Sequence, residues 1–461
     1  MSNPTAFSIL DLKPALLGNL AEIGYTEMTL VQGQTLPPML SGADVLARAK
    51  TGSGKTAAFG LSLLNKLDNG SFRVQALVLC PTRELADQVA KEIRRLARAV
   101  PNIKILTLCG GVPLGPQLAS LQHSPHVIVG TPGRVLKHLG KGSVALNDLQ
   151  TLVLDEADRM LDMGFMDELD AILAFVPADR QTLLFSATYP DAIADISARV
   201  QRAPLIVDVT DDERPALIEQ YWCSVTRENR NEALLKALRA WGGSLNLVFC
   251  NTKIDCADVA GYLQAQGVGA IALHGDLDQP QRTQVLVRFA NRSASVLIAT
   301  DVAARGLDVD DLDAVFNYEL PAQAEVYIHR IGRTGRAGNK GLAVSLVEER
   351  ETRRLLEIEA LLPAATIKHR DIPGPAGTSD ALTPIMTTVQ ISGGRKNKLR
   401  PGDLLGALTA KGGVPGEAVG SIDLFDTCSY VAVSNAEARK AAQQLTTRPI
   451  KGKKYRARIR K

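Results

Sequence analysis

With 461 residues, 45% of them apolar, the chain can fill the cores of about three domains of ordinary size. Its apolar runs fall far short of the ~20 residues that cross a bilayer, Met1 to Leu20 shows no basic start with an apolar core, and the six cysteines (80, 109, 223, 250, 256, 428) form no Cys-x-x-Cys pair; a cytoplasmic protein without membrane span, disulfide or zinc site is therefore expected. The net charge is +4, yet Thr446 to Lys461 holds eight Lys or Arg and no Asp or Glu, which leaves −4 on residues 1–445.

The first strong pattern is an apolar strand, Asp44-Val-Leu-Ala-Arg48, followed by Ala49-Lys50-Thr51-Gly52-Ser53-Gly54-Lys55-Thr56 and a helical run. Gly52 and Gly54 free the backbone to turn its amides toward an oxyanion, and the helix start adds its positive dipole end. Lys55 can reach the outer phosphates of a nucleotide, and the Thr56 hydroxyl can sit on Mg2+. Ala49 stands where the full G-x-x-x-x-G-K-[ST] pattern has its first glycine. That keeps the nucleotide reading and moves it away from small kinases and GTPases.

From this strand to Asp208, β-rich runs at 76–80, 103–108, 126–130, 151–154, 182–185 and 204–208 alternate with helical patterns, which predicts a parallel sheet covered on both faces. Ligands of such sheets bind beyond the carboxyl ends of the strands. Pro81-Thr-Arg-Glu-Leu-Ala86, Thr131-Pro-Gly-Arg134, Asp155-Glu-Ala-Asp158 and Ser186-Ala-Thr188 all fall there. A polar, proline-bearing segment at 209–215 suggests a hinge. A second alternating run follows, with strands predicted at 218–225, 245–250, 270–273, 295–299, 314–318 and 342–347. Residues 371–384 have the composition of a flexible linker. Beyond it the pattern predicts strand 386–392, helix 402–410, strands 419–425 and 429–433, helix 435–445 and strand 454–459. The basic end of this last unit points to a polyanion, with a solvated tail as the alternative.

Asp155 and Glu156 close the apolar strand Thr151-Leu-Val-Leu154, which can carry both to the phosphate loop. Asp155 is assigned to the metal and Glu156 to the attacking water, the division that suits hydrolysis of a nucleoside triphosphate. Asp-Glu-Ala-Asp after such a loop resembles the DEAD-box RNA helicases, over about residues 7–350. The resemblance implies ATP with Mg2+ as cofactors, RNA as partner, and two tandem RecA-like parallel-sheet domains, residues 1–210 and 218–370. Gly24 to Gln32 matches the family's adenine-reading motif, with Phe7 as its upstream aromatic and Met28 in place of the usual proline. By that match Gln32 would hydrogen-bond adenine and Tyr25 would help cover its face. Thr82, Arg83, Gly110, Gly111, Thr131, Gly133 and Arg134 match RNA-contacting motifs of the first domain, and Ser186 and Thr188 the motif that couples hydrolysis to unwinding, through hydrogen bonds with Asp158.

In the second domain the resemblance assigns RNA contacts to Thr252, Gln279, Arg282 and Thr300, a nucleotide contact to Asp308, and coupling to His329. In His329-Arg-Ile-Gly-Arg333-Thr-Gly-Arg336 the last two arginines are three apart, so on a helical turn they would share a face suited to a triphosphate. An ion pair with Glu319 or Glu325 is the alternative; the family match makes Arg333 and Arg336 fingers reaching across the gap between domains. ATP would then complete its site on domain closure, and closure would promote RNA binding. Only 4% of residues are aromatic, which favours contacts to phosphate and ribose over base stacking. An ATP-gated RNA clamp that does not depend on unwinding uses the same motifs and stays open as an alternative.

The third unit, 385–461, has the βαββαβ order of a small α+β RRM-like domain. Its central strand keeps Tyr430 but lacks the basic-Gly-aromatic start of the usual motif. Binding there should lean on Arg395, Lys396, Lys398, Arg400, Lys453 and Lys454, with Tyr430 and Tyr455 as stackers. A helicase core followed by such a domain resembles bacterial members of the family that are tethered to 23S ribosomal RNA. That implies a monomer working in assembly of the large, 50S ribosomal subunit.

Overall fold

The computed structural model describes residues 5–49, 52–188, 191–209, 218–304, 312–335, 340–362, 367–374 and 382–460. The chain divides into two compact units, Met1–Pro215 with Gly306–Asp308, and Ala216–Arg305 with Val309–Lys461. Among the described residues, the first unit carries a parallel sheet of β1 (Val45–Arg48), β2 (Ala76–Leu79), β3 (Ile105–Leu108), β4 (Val127–Gly130), β5 (Thr151–Leu154), β6 (Gln181–Ser186) and β7 (Leu205–Asp208). The strand order is β3-β4-β2-β5-β6-β1-β7. Strands of this kind read as unbroken apolar runs because both faces are covered. Alternate residues feed two cores: Val45, Ala47, Ala76 and Val78 enter one, and Leu46, Leu77, Leu79 and Leu152 the other.

In the second unit, β8 (Ile218–Ser224), β9 (Asn246–Phe249), β10 (Ala270–Leu273), β11 (Val296–Ala299), β12 (Ala314–Asn317), β13 (Gly341–Val347) and β14 (Lys368–His369) pair in parallel in the order β10-β11-β9-β12-β13-β8-β14. The sequence did not predict β14, which is two residues long and has no periodicity to read. The His369 ring packs tilted against Trp222, with ring centroids 4.4 Å apart, and the Arg370 amide donates to Trp222 O (2.9 Å), which fixes this edge.

The same unit ends in an antiparallel sheet of β15 (Met386–Ile391), β16 (Val419–Leu424), β17 (Ser429–Ser434) and β18 (Ala457–Arg460), in the order β16-β17-β15-β18. Val389, Ile391, Val431 and Val433 point to one face and pack with Leu404, Leu408, Ala441 and Leu445 of helices Pro401–Thr409 and Ala438–Thr447. The opposite face carries Thr388, Gln390, Tyr430 and Ala432, and it is covered at its centre, where Thr388 is 0% and Tyr430 3% exposed, while Gln390 is half-buried and Arg458 exposed. The turn Asn291–Ser295 of the preceding α/β fold meets it. Ser293 Oγ and Thr388 Oγ1 are 2.7 Å apart, the Met386 amide donates to Arg292 O (3.3 Å), and Ser421 Oγ bonds to Asn291 Oδ1. The expectation of a flexible linker over 371–384 does not hold at its end. Leu382 is buried in the core of the second α/β fold, against which Ile372 also packs, and its carbonyl accepts from Ser295 Oγ (2.5 Å), a placement that composition cannot show. No helix among the described residues is long and apolar enough to cross a membrane.

Candidate nucleotide and RNA site

Parallel pairing brings the loops after β1, β5 and β6 together at one sheet edge, and those after β2, β4 and β3 beside them. Gly54 takes φ +97 as the cap of helix Lys55–Lys66, and a Cβ there would stand 2.5 Å from Gln32 Nε2. Gln32 is 1% exposed; it donates to Gly54 O (3.1 Å) and accepts from the Thr29 amide (2.9 Å) in a capping box. The side chain expected to read adenine therefore holds the phosphate loop, with one N–H and one lone pair beyond these bonds. Tyr25 is likewise tied down. Its hydroxyl donates to Glu92 (2.8 Å), the Arg95 guanidinium lies 5.5 Å from its ring centre, and Phe7 meets its edge at 6.1 Å. Burial, with the Glu92 bond, pushes its phenol up to about 12. Met28, the departure from the usual proline, is buried in the core.

Gly52 has φ +89, Ser53 and Thr56 are half-buried, and Lys50 and Thr51 lie outside the described residues. The Ala49 amide donates to Ser186 O (3.0 Å), continuing the β1–β6 ladder, so no glycine is required there. Lys55 is buried and donates to Ala49 O (2.8 Å). Asp155, past the end of β5, is buried with Oδ1 lacking a hydrogen-bond partner among the described residues, and burial pushes its carboxyl up to about 7 while the Lys55 charge opposes the rise. Glu156 holds φ +53, a left-handed conformation uncommon for a side chain of this kind and typical of strained functional positions. Its Oε2 lies 3.0 Å from Arg159 Nη1, both side chains buried. Arg159 was missed from sequence, although its i,i+3 spacing from Glu156 was a usable signal.

Asp158 gathers three donors on Oδ2: Ala187 N (3.2 Å), Thr188 N (3.0 Å) and Thr188 Oγ1 (2.9 Å). The expected bond from Ser186 to Asp158 is absent. Ser186 Oγ donates to Thr188 O (2.6 Å), because the chain turns back on itself as β6 ends.

In the adjoining loops Thr82 caps helix Arg83–Leu96, its Oγ1 accepting from Leu85 N (3.2 Å). The Arg83 guanidinium lies on Gly110 and Gly111; a Cβ on Gly111, at φ +74, would come within 1.5 Å of Arg83 Nη1, so a side chain there would be strained and would displace the guanidinium. Thr131 precedes helix Pro132–Gly140, Gly133 is exposed on its first turn, and Arg134 donates to Val112 O (3.0 Å) and Gln117 Oε1 (2.7 Å).

In the second unit Thr252 caps helix Lys253–Ala265 through Asp255 N (3.1 Å). Gln279 opens helix Gln279–Ala290, and Arg282 Nη2 donates to Ala303 O (2.7 Å), which joins this helix to the segment capped by Thr300. His329 sits half-buried on helix Ala324–Ile331. That helix ends before Arg333, and the expected shared face of Arg333 and Arg336 involves a residue outside the described ones. Thr334 bridges to Leu312 and Gly335 turns at φ +69, which ends the helical path. Arg333 is buried; Arg336 and Asp308 lie outside the described residues.

The residue sequence reasoning missed here is Arg330, 1% exposed. It forms a fork with Asp301 (2.7 Å to each oxygen), donates to Asn317 Oδ1 (3.1 Å), Glu319 O (2.7 Å) and Asn251 Oδ1 (2.8 Å), and its guanidinium lies 5.0 Å from the Phe249 ring centre. Three loop ends are thereby locked to one guanidinium. Arg330→Ala is expected to destabilise the second unit by about 3–5 kcal/mol, since it strands the Asp301 charge. Both tryptophans, Trp222 and Trp241, belong to this unit, so the midpoint of a fluorescence-detected urea transition checks it.

At the C-terminal end Arg395, Lys396, Lys398 and Arg400 are exposed on one loop, and Lys451 Nζ donates to Lys398 O (2.7 Å), bringing the turn with exposed Lys453 and Lys454 beside it. The two stackers expected from sequence are not available. Tyr430 is buried, with Phe425 edge-on at 5.6 Å and Gln390 Nε2 bonded to its hydroxyl (3.1 Å), and Tyr455 joins the core beneath Gly393.

Matches to known proteins cover both α/β folds and the small domain. Residues 29–196 match the DEAD/DEAH box helicase family, 229–338 the helicase conserved C-terminal domain, and 388–459 the DbpA RNA binding domain. The chain is 55% identical over 459 residues to the ATP-dependent RNA helicase DbpA of Escherichia coli (strain K12), covering 99% of this chain and 100% of that one. It is 42% identical over 377 residues to the ATP-dependent RNA helicase CshA of Listeria monocytogenes, covering 82% and 71%. Among solved structures, S. cerevisiae Dbp5 bound to RNA and ADP BeF3 matches with a TM-score of 0.73 at 31% identity, covering 80% of this chain and 96% of that one. The chain belongs to the DEAD-box ATP-dependent RNA helicases, close to DbpA, with a C-terminal RNA-binding domain.

Proposed function

We propose that this helicase separates short RNA duplexes locally on 23S ribosomal RNA, as a cytoplasmic monomer that serves assembly of the 50S subunit. The observation that carries the reading is the small domain's exposed basic surface, Arg395 to Arg400 beside Lys453 and Lys454, on a chain that matches DbpA end to end. With the centre of the sheet face covered and both tyrosines buried, recognition falls to placed basic side chains.

In this reading Lys55 and the amides of the phosphate loop grip ATP, Gln32 and Tyr25 line the adenine side, and Glu156 polarises the attacking water. Asp155 and Thr56 would hold Mg2+, and the unpartnered Asp155 Oδ1 fits that role. The cation, when bound, supplies positive charge to the phosphates. Arg333 and Arg336 add charge where it develops on the γ-phosphate, Asp308 contacts the nucleotide, and His329 joins the Asp158–Thr188 pair in coupling. Thr82, Arg83, Gly111, Thr131, Gly133, Arg134, Thr252, Gln279, Arg282 and Thr300 bind the RNA backbone.

Truncation tests the address. Cutting after Pro384 keeps Leu382 in its core while removing the small domain and its charged end. The shortened protein is expected to hydrolyse ATP with arbitrary RNA and to lose its preference for a 23S fragment. Its RNA binding should also weaken less steeply with salt. An unchanged ratio of 23S-stimulated to arbitrary-RNA-stimulated hydrolysis would place specificity elsewhere.

A further inference from the structure

Arg134 is only the visible end of a buried polar chain that the mechanism above does not use. Gln117, on helix Leu114–Leu121, is buried; its Oε1 accepts from Arg134 Nη1 (2.7 Å) and lies 3.0 Å from His138 Nε2, while its Nε2 donates to Cys109 O (3.1 Å). His138, 0% exposed, places Nδ1 2.8 Å from Ser143 Oγ. Arg134 Nη2 reaches Val112 O (3.0 Å). We propose that Gln117 and His138 are positioning residues for RNA binding, fixing the Arg134 guanidinium and the Cys109–Val112 turn in one geometry before RNA arrives.

An amide oxygen only accepts, so Arg134 Nη1 and His138 Nε2 must both donate to it. That sets the imidazole tautomer, leaving Nδ1 as an acceptor that shares the Ser143 hydroxyl with the His138 carbonyl (3.0 Å). Burial, then the positive charges of Arg134 and Lys141, lower the His138 pKa, which favours the neutral ring. The chain spans two adjacent loop ends. Cys109 and Val112 follow β3, where Gly111 lies against Arg83, and Arg134 follows β4. A packing role alone would be served by apolar residues of the same size, since an all-apolar replacement of a buried hydrogen-bonded pair is nearly neutral. A long cation held by fixed partners instead loses less rotamer freedom on meeting a phosphate.

The inference rests on Arg134 contacting RNA, and the experiment separates the two claims. RNA-stimulated ATP hydrolysis of the full chain is measured against RNA concentration for Gln117→Leu, Arg134→Ala and the double variant, with thermal unfolding as control. Gln117→Leu is expected to raise the half-saturating RNA concentration about tenfold, or ~1.4 kcal/mol, with kcat at saturating RNA and KM for ATP within about twofold of wild type. The double variant should match Arg134→Ala alone, because Gln117 acts through that side chain. Multiplying effects, or wild-type RNA dependence in Gln117→Leu, overturn the positioning role. Wild-type RNA dependence in Arg134→Ala overturns instead the reading of Arg134. Should Gln117→Leu fail to fold, Ser143→Ala at the far end of the chain of bonds supplies the test, with an expected shift of about threefold that is likewise absent from the Arg134→Ala background. A shift that persists there contradicts the proposal.

Discussion

Glu156→Gln is expected to hydrolyse ATP at least ~100-fold more slowly than wild type while still binding RNA in an ATP-dependent way. The substitution keeps the size of the side chain and an oxygen that can face Arg159 Nη1, so the left-handed turn at φ +53 should survive. What it removes is the charge that draws a proton from water. Steady-state phosphate release measures the loss, and fluorescence anisotropy of a labelled RNA with ATP present measures what is retained. Normal turnover would reassign the base to another group. Loss of RNA binding together with turnover would mean that the Glu156–Arg159 pair is structural.

Arg336→Ala should lower kcat roughly 10³-fold while changing ATP affinity far less. The comparison that gives this result meaning lies six residues earlier. Arg330 spends its donors on Asp301, Asn317, Glu319 O and Asn251 within its own unit, so its loss should appear as unfolding rather than as a selective loss of rate. Two arginines of one motif should therefore fail in different ways. Equal losses of kcat and ATP affinity in Arg336→Ala would make it an ordinary phosphate ligand.

The strands were legible because buried parallel strands leave apolar runs between polar loop ends; 270–273 and 151–154 match the structure at both ends. Their order was not legible, since period-2 burial says nothing about which strands are neighbours. At the site, residue types at fixed spacing identified Lys55, Asp155 and Glu156, but their local bonds depended on the turns around them. Gln32 is drawn to Gly54 O because the glycine has no Cβ, and Ser186 bonds to Thr188 O because the chain doubles back. Arg330, Gln117 and His138 were invisible as a class. Each is a polar side chain buried by residues distant in sequence, and only the fold supplies its partners. Tyr430 and Tyr455 failed in the opposite sense, as aromatic residues read as exposed that the small domain's own packing buries.

The central claim is that loops reading a nucleotide and loops reading RNA act as one device. Its most direct test is the affinity of the full chain for a short single-stranded RNA, measured with and without a non-hydrolysable ATP analogue, and the affinity for the analogue with and without that RNA. Linkage requires both ratios to be the same factor. The account predicts that each ligand tightens the other by at least about tenfold, ~1.4 kcal/mol of coupling. An RNA affinity indifferent to the nucleotide would contradict it.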